Sequence, residues 1–161
     1  SILNSTLLWF YLKNTGNILR GGFFRFKTSF LEPFPIPDYN NIDQLPFIQK
    51  ADIMLSKNKE LQETKQQILK LLQVKYENVT ITKKLQDWPS LDFKDFLKEL
   101  TKQKIKISLA EQTEWMQHFE TEKAKANAIQ ELISATDKEI DQMVYTLYDL
   151  TKEEIKIVEG A

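Results

Sequence analysis

The chain has 161 residues, 42% of them apolar, enough to bury one genuine core, and its 22 basic and 23 acidic side chains leave a formal net charge of −1. A balance this even excludes a histone-like polyelectrolyte, so any nucleic-acid role must be local. The absence of cysteine and the single histidine exclude disulfide frameworks, thiolate zinc sites, cysteine nucleophiles and multi-histidine metal centres, and suit a reducing cytoplasm.

The apolar stretch from Ile2 to Leu12 is interrupted by Asn4, Ser5 and Thr6. It is too short to span a bilayer and lacks the basic leader and cleavage site of a signal peptide, so neither export nor membrane insertion is expected. The chain opens at Ser1 inside an already periodic apolar segment, as expected of a piece cut from a longer polypeptide.

Leu3, Leu7, Phe10 and Tyr11 recur at helical spacing and predict a helix over residues 2–13, stopped by Asn14, Thr15, Gly16 and Asn17. Ile18 to Gly22 then reads as a turn, its paired glycines allowing backbone angles that other residues avoid. The run Phe23-Phe24-Arg25-Phe26-Lys27 alternates as strands do, with Phe24 and Phe26 on one side and Arg25 and Lys27 on the other. Pro33, Pro35 and Pro37 make an extended connector and place the first boundary near residue 40.

From Asp43 to Lys75 the pattern is helical, with Met54, Leu61, Ile68 and Leu71/Leu72 at near-heptad spacing. At 1.5 Å per residue such a helix extends for about 45 Å and needs a partner along it. Ser108-Leu109-Ala110-Glu111 is a capping box that starts the partner at Leu109, with Trp115, Phe119, Ala126, Ile129 and Ile133 as its seam to about residue 133. Thr136-Asp137-Lys138-Glu139 and Thr151-Lys152-Glu153-Glu154 repeat the start signal and predict terminal helices over 137–149 and 152–159, carrying Ile140, Val144, Leu147 and Ile155, Val158. The insert, 76–107, contains the strand-like Val79-Thr80-Ile81-Thr82 and a short helix with Phe93, Phe96, Leu97 and Leu100 on one face, and is expected to pack on the pair. The expected fold class is therefore mainly α (α+β): a small β-containing lobe in residues 1–40, and in 41–161 a long antiparallel helical pair with short C-terminal helices.

Catalytic motifs do not assemble. A nuclease centre needs an aspartate and a Glu-x-Lys pair on adjacent strands, so that carboxylates hold a divalent metal while the lysine polarises water. Asp38 with Glu63-Thr64-Lys65 matches only as a string, because Glu63 and Lys65 lie two apart in a helix and point to different sides. Glu154-Ile155-Lys156 fails in the same way. An amino-methyltransferase needs an Asn/Asp-Pro-Pro-aromatic loop and a glycine-rich loop, and neither is present. Gly21-Gly22 is the sole candidate phosphate cradle and lacks P-loop context. His118, alone on its helix, reads as a surface or interhelical histidine. Positive charge clusters without close acidic neighbours at Lys13, Arg20, Arg25 and Lys27, beside Asn14, Asn17 and the glycine turn, which suits contacts to phosphates or base edges. The alternative is the solvated face of an edge strand. Lys83-Lys84 is a weaker basic candidate.

Specific strings add to these patterns. Leu3-Asn4-Ser5 with Trp9-Phe10, Arg20-Gly21-Gly22, Arg25-Phe26, and Leu31-Glu32 leading to Pro35-Ile36-Pro37 resembles the end of the TaqI-like C-terminal specificity domain of type IIG restriction-modification enzymes. The run Glu139-Ile140-Asp141-Gln142-Met143-Val144-Tyr145, with Leu147-Tyr148, Leu150-Thr151, Glu153-Glu154-Ile155 and Ile157-Val158-Glu159, is similar to their C-terminus. The resemblance implies a bacterial, cytoplasmic parent that joins an adenine-N6 methyltransferase, usually with an endonuclease, to a region selecting the DNA sequence. S-adenosylmethionine and Mg2+ would serve that parent and no cofactor is expected in this piece. Its partners would be double-stranded DNA and the catalytic domains of the same polypeptide, with the long helices resembling the spacer helices of a type I specificity subunit. Carried over residue by residue, the DNA contacts fall on Arg20-Gly21-Gly22 and Arg25 to Lys27, with Lys13 and Asn17 adjoining. Two alternatives stand beside this reading: a purely structural helical interaction module, and part of a type I specificity subunit.

Overall fold

The computed structural model describes residues 2–16, 27–38 and 42–160. The protein is mainly α. Its helices are α1 (Thr6–Thr15), α2 (Thr28–Leu31), α3 (Leu45–Lys75), α4 (Lys83–Gln86), α5 (Phe93–Lys102), α6 (Leu109–Leu147) and α7 (Lys152–Glu159), with single 3-10 turns at Ile2–Asn4 and Trp88–Ser90. No strand occurs among the described residues; the predicted strand of the N-terminal lobe lies outside them apart from Lys27. The chain divides into two compact units, Leu55–Ser134 and Ser1–Met54 with Ala135–Ala161, and α3 and α6 contribute residues to both.

Within Leu55–Ser134 the core is aromatic. Ile68, Leu69 and Leu72 of α3 and Trp115 and Phe119 of α6 meet Leu85, Trp88, Phe96 and Leu100 of the insert, all buried. Phe119 is the hub, its ring 4.9 Å from Phe96, 5.3 Å from Trp88 and 5.5 Å from Phe93 in tilted geometry, the arrangement that ring quadrupoles favour. The Trp88 indole N–H, which must find a partner once buried, donates to the Lys65 carbonyl of α3 at 3.1 Å. Lys75 pairs with Glu111 at 3.0 Å, and Lys125 lies near enough to Glu60 to lower its pKa after the stronger effect of Lys57, so α3 and α6 run antiparallel within this unit.

Val79–Thr82 has strand composition and forms no strand, since no second strand is present among the described residues to receive it. A side chain substitutes: the Gln103 amide accepts from the Thr80 N–H at 2.7 Å and donates to the Thr80 carbonyl at 3.1 Å, pairing as a ladder neighbour would. Val79 and Ile81 pack on the core.

The second unit has a smaller core of Leu8, Leu12 and Phe34, flanked by Leu7, Tyr11, Phe30, Leu31 and Tyr148. Phe34 lies edge-on to Tyr11 at 5.0 Å, and the Tyr148 hydroxyl donates to the Pro35 carbonyl at 2.7 Å, anchoring the proline connector. The sequence predicted one helix over 2–13 with Leu3 on its seam. Instead Ser5 caps α1, accepting from the Leu8 N–H at 3.3 Å, and this restart turns the buried face to Leu8 and Leu12 while Leu3 stays 64% exposed.

Both capping boxes read from the sequence form. Glu111 accepts from the Ser108 N–H at 2.9 Å and Glu154 from the Thr151 N–H at 2.7 Å. The third start signal does not act. Residues 137–149 are no separate helix, because α6 continues through Thr136, which is 3% exposed inside it. The same four residue types serve a helix interior as well as a start, and no glycine or proline breaks the buried series Ile129, Ile133, Ile140, Val144. Two helices instead end on left-handed residues that are not glycine, Lys104 (φ 63°) after α5 and Asp149 (φ 52°) after α6. Each closes a Schellman motif, with Ile105 N–H on the Leu100 carbonyl (3.2 Å) and Leu150 N–H on the Tyr145 carbonyl (3.0 Å).

Two measurements test this reading. Lys104→Gly relieves the left-handed strain and is expected to raise unfolding free energy by about 1 kcal/mol in urea melts; an unchanged or lower midpoint contradicts this helix ending. Asp137→Pro is expected to cost roughly 3 kcal/mol or more inside a continuous α6, whereas a helix beginning at 137 would accept proline at its first position.

Candidate nucleic-acid interface

Of the residues assigned to DNA contact, Asn17, Arg20, Gly21, Gly22 and Arg25 lie outside the described residues. Lys13 and Lys27 bracket them in the chain. Lys13 is in the last turn of α1, its ammonium 5.9 Å from the Trp9 ring centroid, over a ring that is 41% exposed. A cation at a helix C-terminus is also favoured by the backbone dipole. Lys27 is the exposed residue that precedes α2 and makes no side-chain capping bond. The neighbouring polar groups of α1 turn back on their own helix, Asn14 donating to the Phe10 carbonyl and Thr15 to the Tyr11 carbonyl, both at 2.8 Å.

Elsewhere lysines are drawn into internal pairs. Lys65 meets Asp87 at 3.0 Å and Lys75 meets Glu111 at 3.0 Å. Lys84, half of the weaker Lys83-Lys84 candidate, lies 3.8 Å from Glu99, which also holds Lys102 at 2.6 Å. Lys50 pairs with Glu139 in the other unit. The string matches to a nuclease are likewise engaged elsewhere: Glu63 is 3.9 Å from Lys59, Lys65 is on Asp87, and Glu154 is held in its capping box. His118 sits on α6 beside Trp115, its Nε2 buried without a hydrogen-bond partner among the described residues. No helix among the described residues is long and apolar enough to cross a membrane.

A second constellation escaped the sequence reading. In the unit that holds α1 and α7, Thr6, Asp137, Lys138, Asp141, Gln142, Tyr145 and Glu159 line a recess of about 640 Å3. Asp141 receives the Thr6 N–H at 2.9 Å and the Thr6 hydroxyl at 2.5 Å, so it ties the first turn of α1 to α6. Asp137 lies one turn earlier on α6, and its pKa is raised, first by partial burial and then by the Asp141 charge. The signal available in the sequence was the i, i+4 spacing of two aspartates, a like-charge pair that an isolated helix disfavours. Tyr145 is 1% exposed. Its pKa is pushed up by burial and by the charges of Asp141 and Glu159, with Thr6 acting in the opposite sense. The Tyr145 hydroxyl is buried against the Thr6 side chain, with which it shares a hydrogen bond, and the Thr6 hydroxyl in turn donates to Asp141.

Residues 40–144 match the model of a domain of unknown function, DUF8810. The chain belongs to that family. The DUF8810 match covers α3 to α5 and most of α6, and leaves out both the basic N-terminal segment and α7. No curated protein and no solved structure matches the chain.

The capping box at the DUF8810 α6 start carries a measurable pH signature. The Ser108 hydroxyl and N–H, and then Lys75, hold the Glu111 carboxyl at about 2, against an ordinary 4.5. A carboxyl depressed on folding contributes stability that is present above its unfolded pKa and is lost as pH falls through the folded one. Wild type is therefore expected to melt above Glu111→Gln at pH 6, with the gap closing between about pH 4.5 and 2. A gap that is constant across that window would contradict the assignment.

Proposed function

We propose that the chain is the C-terminal part of the DNA target-recognition region of a type IIG restriction-modification enzyme, positioning duplex DNA for adenine-N6 methylation and cleavage by other parts of the polypeptide. One observation carries the reading: the ordered strings at both ends of the sequence, Arg20-Gly21-Gly22 to Pro35-Ile36-Pro37 and Glu139 to Glu159, resemble that family in order and in residue type. Lys13, Asn17, Arg20, Gly21, Gly22, Arg25 and Lys27 supply the DNA contacts, on a β-containing lobe that ends near residue 40. The internal pairing of Lys65, Lys75 and Lys84 supports the division of labour, since paired lysines offer phosphates less than a basic segment with no acidic residue between Lys13 and Lys27. S-adenosylmethionine and Mg2+ belong to the catalytic parts of the parent, which is cytoplasmic in a bacterium.

A second reading, a helical module that docks on protein and never on nucleic acid, is favoured by a different observation. Leu55, Val74 and Leu109 of the long helices are 72%, 83% and 81% exposed. Val74 adjoins Leu71, itself 46% exposed, on a recess that Trp115 of α6 also lines, and contiguous exposed apolar surface is a feature of interaction sites. Part of a type I specificity subunit is a variant of the first reading with the same contacts.

Titration of the chain with a short duplex at low salt separates the two. The first reading expects amide shift changes confined to residues 13–30 and an affinity that falls with salt. Arg20→Ala or Arg25→Ala should each lower the slope of log affinity against log salt by about 1. Shift changes absent altogether, or a slope indifferent to both substitutions, would overturn it in favour of protein docking.

A further inference from the structure

The segment that follows α5 has one edge closed and one edge open. Ile105 and Ile107 pack against the core of Leu55–Ser134 while Lys104, Lys106 and Ser108 are exposed, the alternation of an extended segment. In such a segment the N–H and C=O of one residue point to one edge, and those of the next residue to the other. The edge of Ile105 and Ile107 is closed: the Ile105 N–H donates to the Leu100 carbonyl at 3.2 Å, and the Ile107 carbonyl accepts from the Gln112 Nε2 at 3.0 Å. Lys106 holds the opposite edge, and its N–H and C=O bond to nothing among the described residues. The same insert shows how such a pair of groups is closed from within, since Gln103 takes both main-chain groups of Thr80. Among the described residues no side chain does this for Lys106.

Charge and shape select what can pair there. Lys98 and Lys102 are held by Asp95 and Glu99 at 2.6 Å each, whereas Lys104 and Lys106 have no ion-pair partner among the described residues. No acidic residue occurs between Glu99 and Glu111. Lysines on an exposed edge repel a second copy of that edge, which sets self-pairing aside, and they favour a strand of opposite charge. In an antiparallel pair a single residue exchanges both bonds with Lys106 and stands its side chain on the lysine face, while its two neighbours turn to the other face. That other face carries Ile105 and Ile107, and both border a recess of about 380 Å3 that Leu97, Thr101, Lys106 and Gln112 also line. The complementary pattern is therefore apolar, acidic, apolar.

We infer that residues 105–107 are a docking edge for an extended acidic peptide of a partner protein. The peptide adds as a strand to Lys106 through main-chain hydrogen bonds, sets a carboxylate against Lys104 and Lys106, and places an apolar side chain in the recess. The edge lies within Leu55–Ser134 and uses none of the proposed DNA contacts, so it stands or falls separately from them.

Amide shift titration of the whole chain with acetyl-Val-Glu-Val-Glu-Val-amide tests the assignment. Saturable changes centred on residues 104–108 are expected. The same peptide N-methylated at both glutamates keeps its charge and loses the donors that reach Lys106, and it should bind about fivefold weaker or more. The lysine analogue, acetyl-Val-Lys-Val-Lys-Val-amide, should bind at least about tenfold weaker than the acidic peptide, and Lys106→Glu should reverse that preference. Lys106 is exposed, so the variant is expected to melt with wild type. The inference is overturned if the acidic peptide leaves these amides unmoved, if the methylated peptide binds as tightly, or if Lys106→Glu leaves the preference unchanged. It is overturned equally if a short DNA duplex moves the same amides at lower concentration than the peptide, which would make the two lysines a phosphate contact.

Discussion

Everything in this structure depends on covering the apolar stripe of α6. A helix of 39 residues presents Trp115, Phe119, Ala126, Ile129, Ile133, Ile140 and Val144 at intervals that keep them on one side, and all seven are buried. Helices in water draw most of their stability from such burial and little from intrinsic propensity. In Leu55–Ser134 the cover is supplied by α3 together with an insert whose own short helix, α5, is too short to stand alone and is amphipathic with Phe96 and Leu100 inward. Each fully buried Leu or Phe there contributes about 1.5–3 kcal/mol relative to exposure, which is why the insert is drawn onto the long helices and forms no sheet of its own.

Signals that act within four residues are legible in the sequence alone. The serine and threonine capping boxes at Ser108 and Thr151 start α6 and α7 where the sequence places them, and the seam Trp115, Phe119, Ala126, Ile129, Ile133 is buried throughout. The same signal at Thr136 misled, because a capping box is a local option that a continuing apolar stripe can override. Val79–Thr82 misled for a related reason: β-branched composition describes a surface that fits a sheet, and the glutamine that occupies that place, Gln103, lies 23 residues from Thr80. The ends at Lys104 and Asp149 were invisible because the usual marker, glycine, is absent from both.

The candidate sites were legible to different degrees for electrostatic reasons. A basic cluster without acidic neighbours is visible in one dimension, and Arg20, Arg25 and Lys27 stand out for that reason. An acidic recess assembled from Thr6, Asp141 and Glu159 is not visible in that way, since its members come from three elements and only the Asp137/Asp141 spacing is local. Isolated, those aspartates read as two more charges on a solvated face.

The carboxylates along α6 differ in what holds them. Glu111 is consumed by the capping box and by Lys75, and Glu139 by Lys50, so these carboxylates are spent on holding elements in register. Such exposed pairs contribute little energy individually, and their effect is orientation. Asp137 and Asp141 flank Glu139 on the same helix and meet no lysine among the described residues. Asp141 fastens α1 through two donors from Thr6, and Asp137 lies one turn before it on the same helix. A helix selected for stability alone would place a cation at one of these positions, since the same i, i+4 spacing would then be favourable by a few tenths of a kcal/mol. Keeping two anions there costs a few tenths of a kcal/mol, which the two donors from Thr6 to Asp141 offset by fastening α1 to α6.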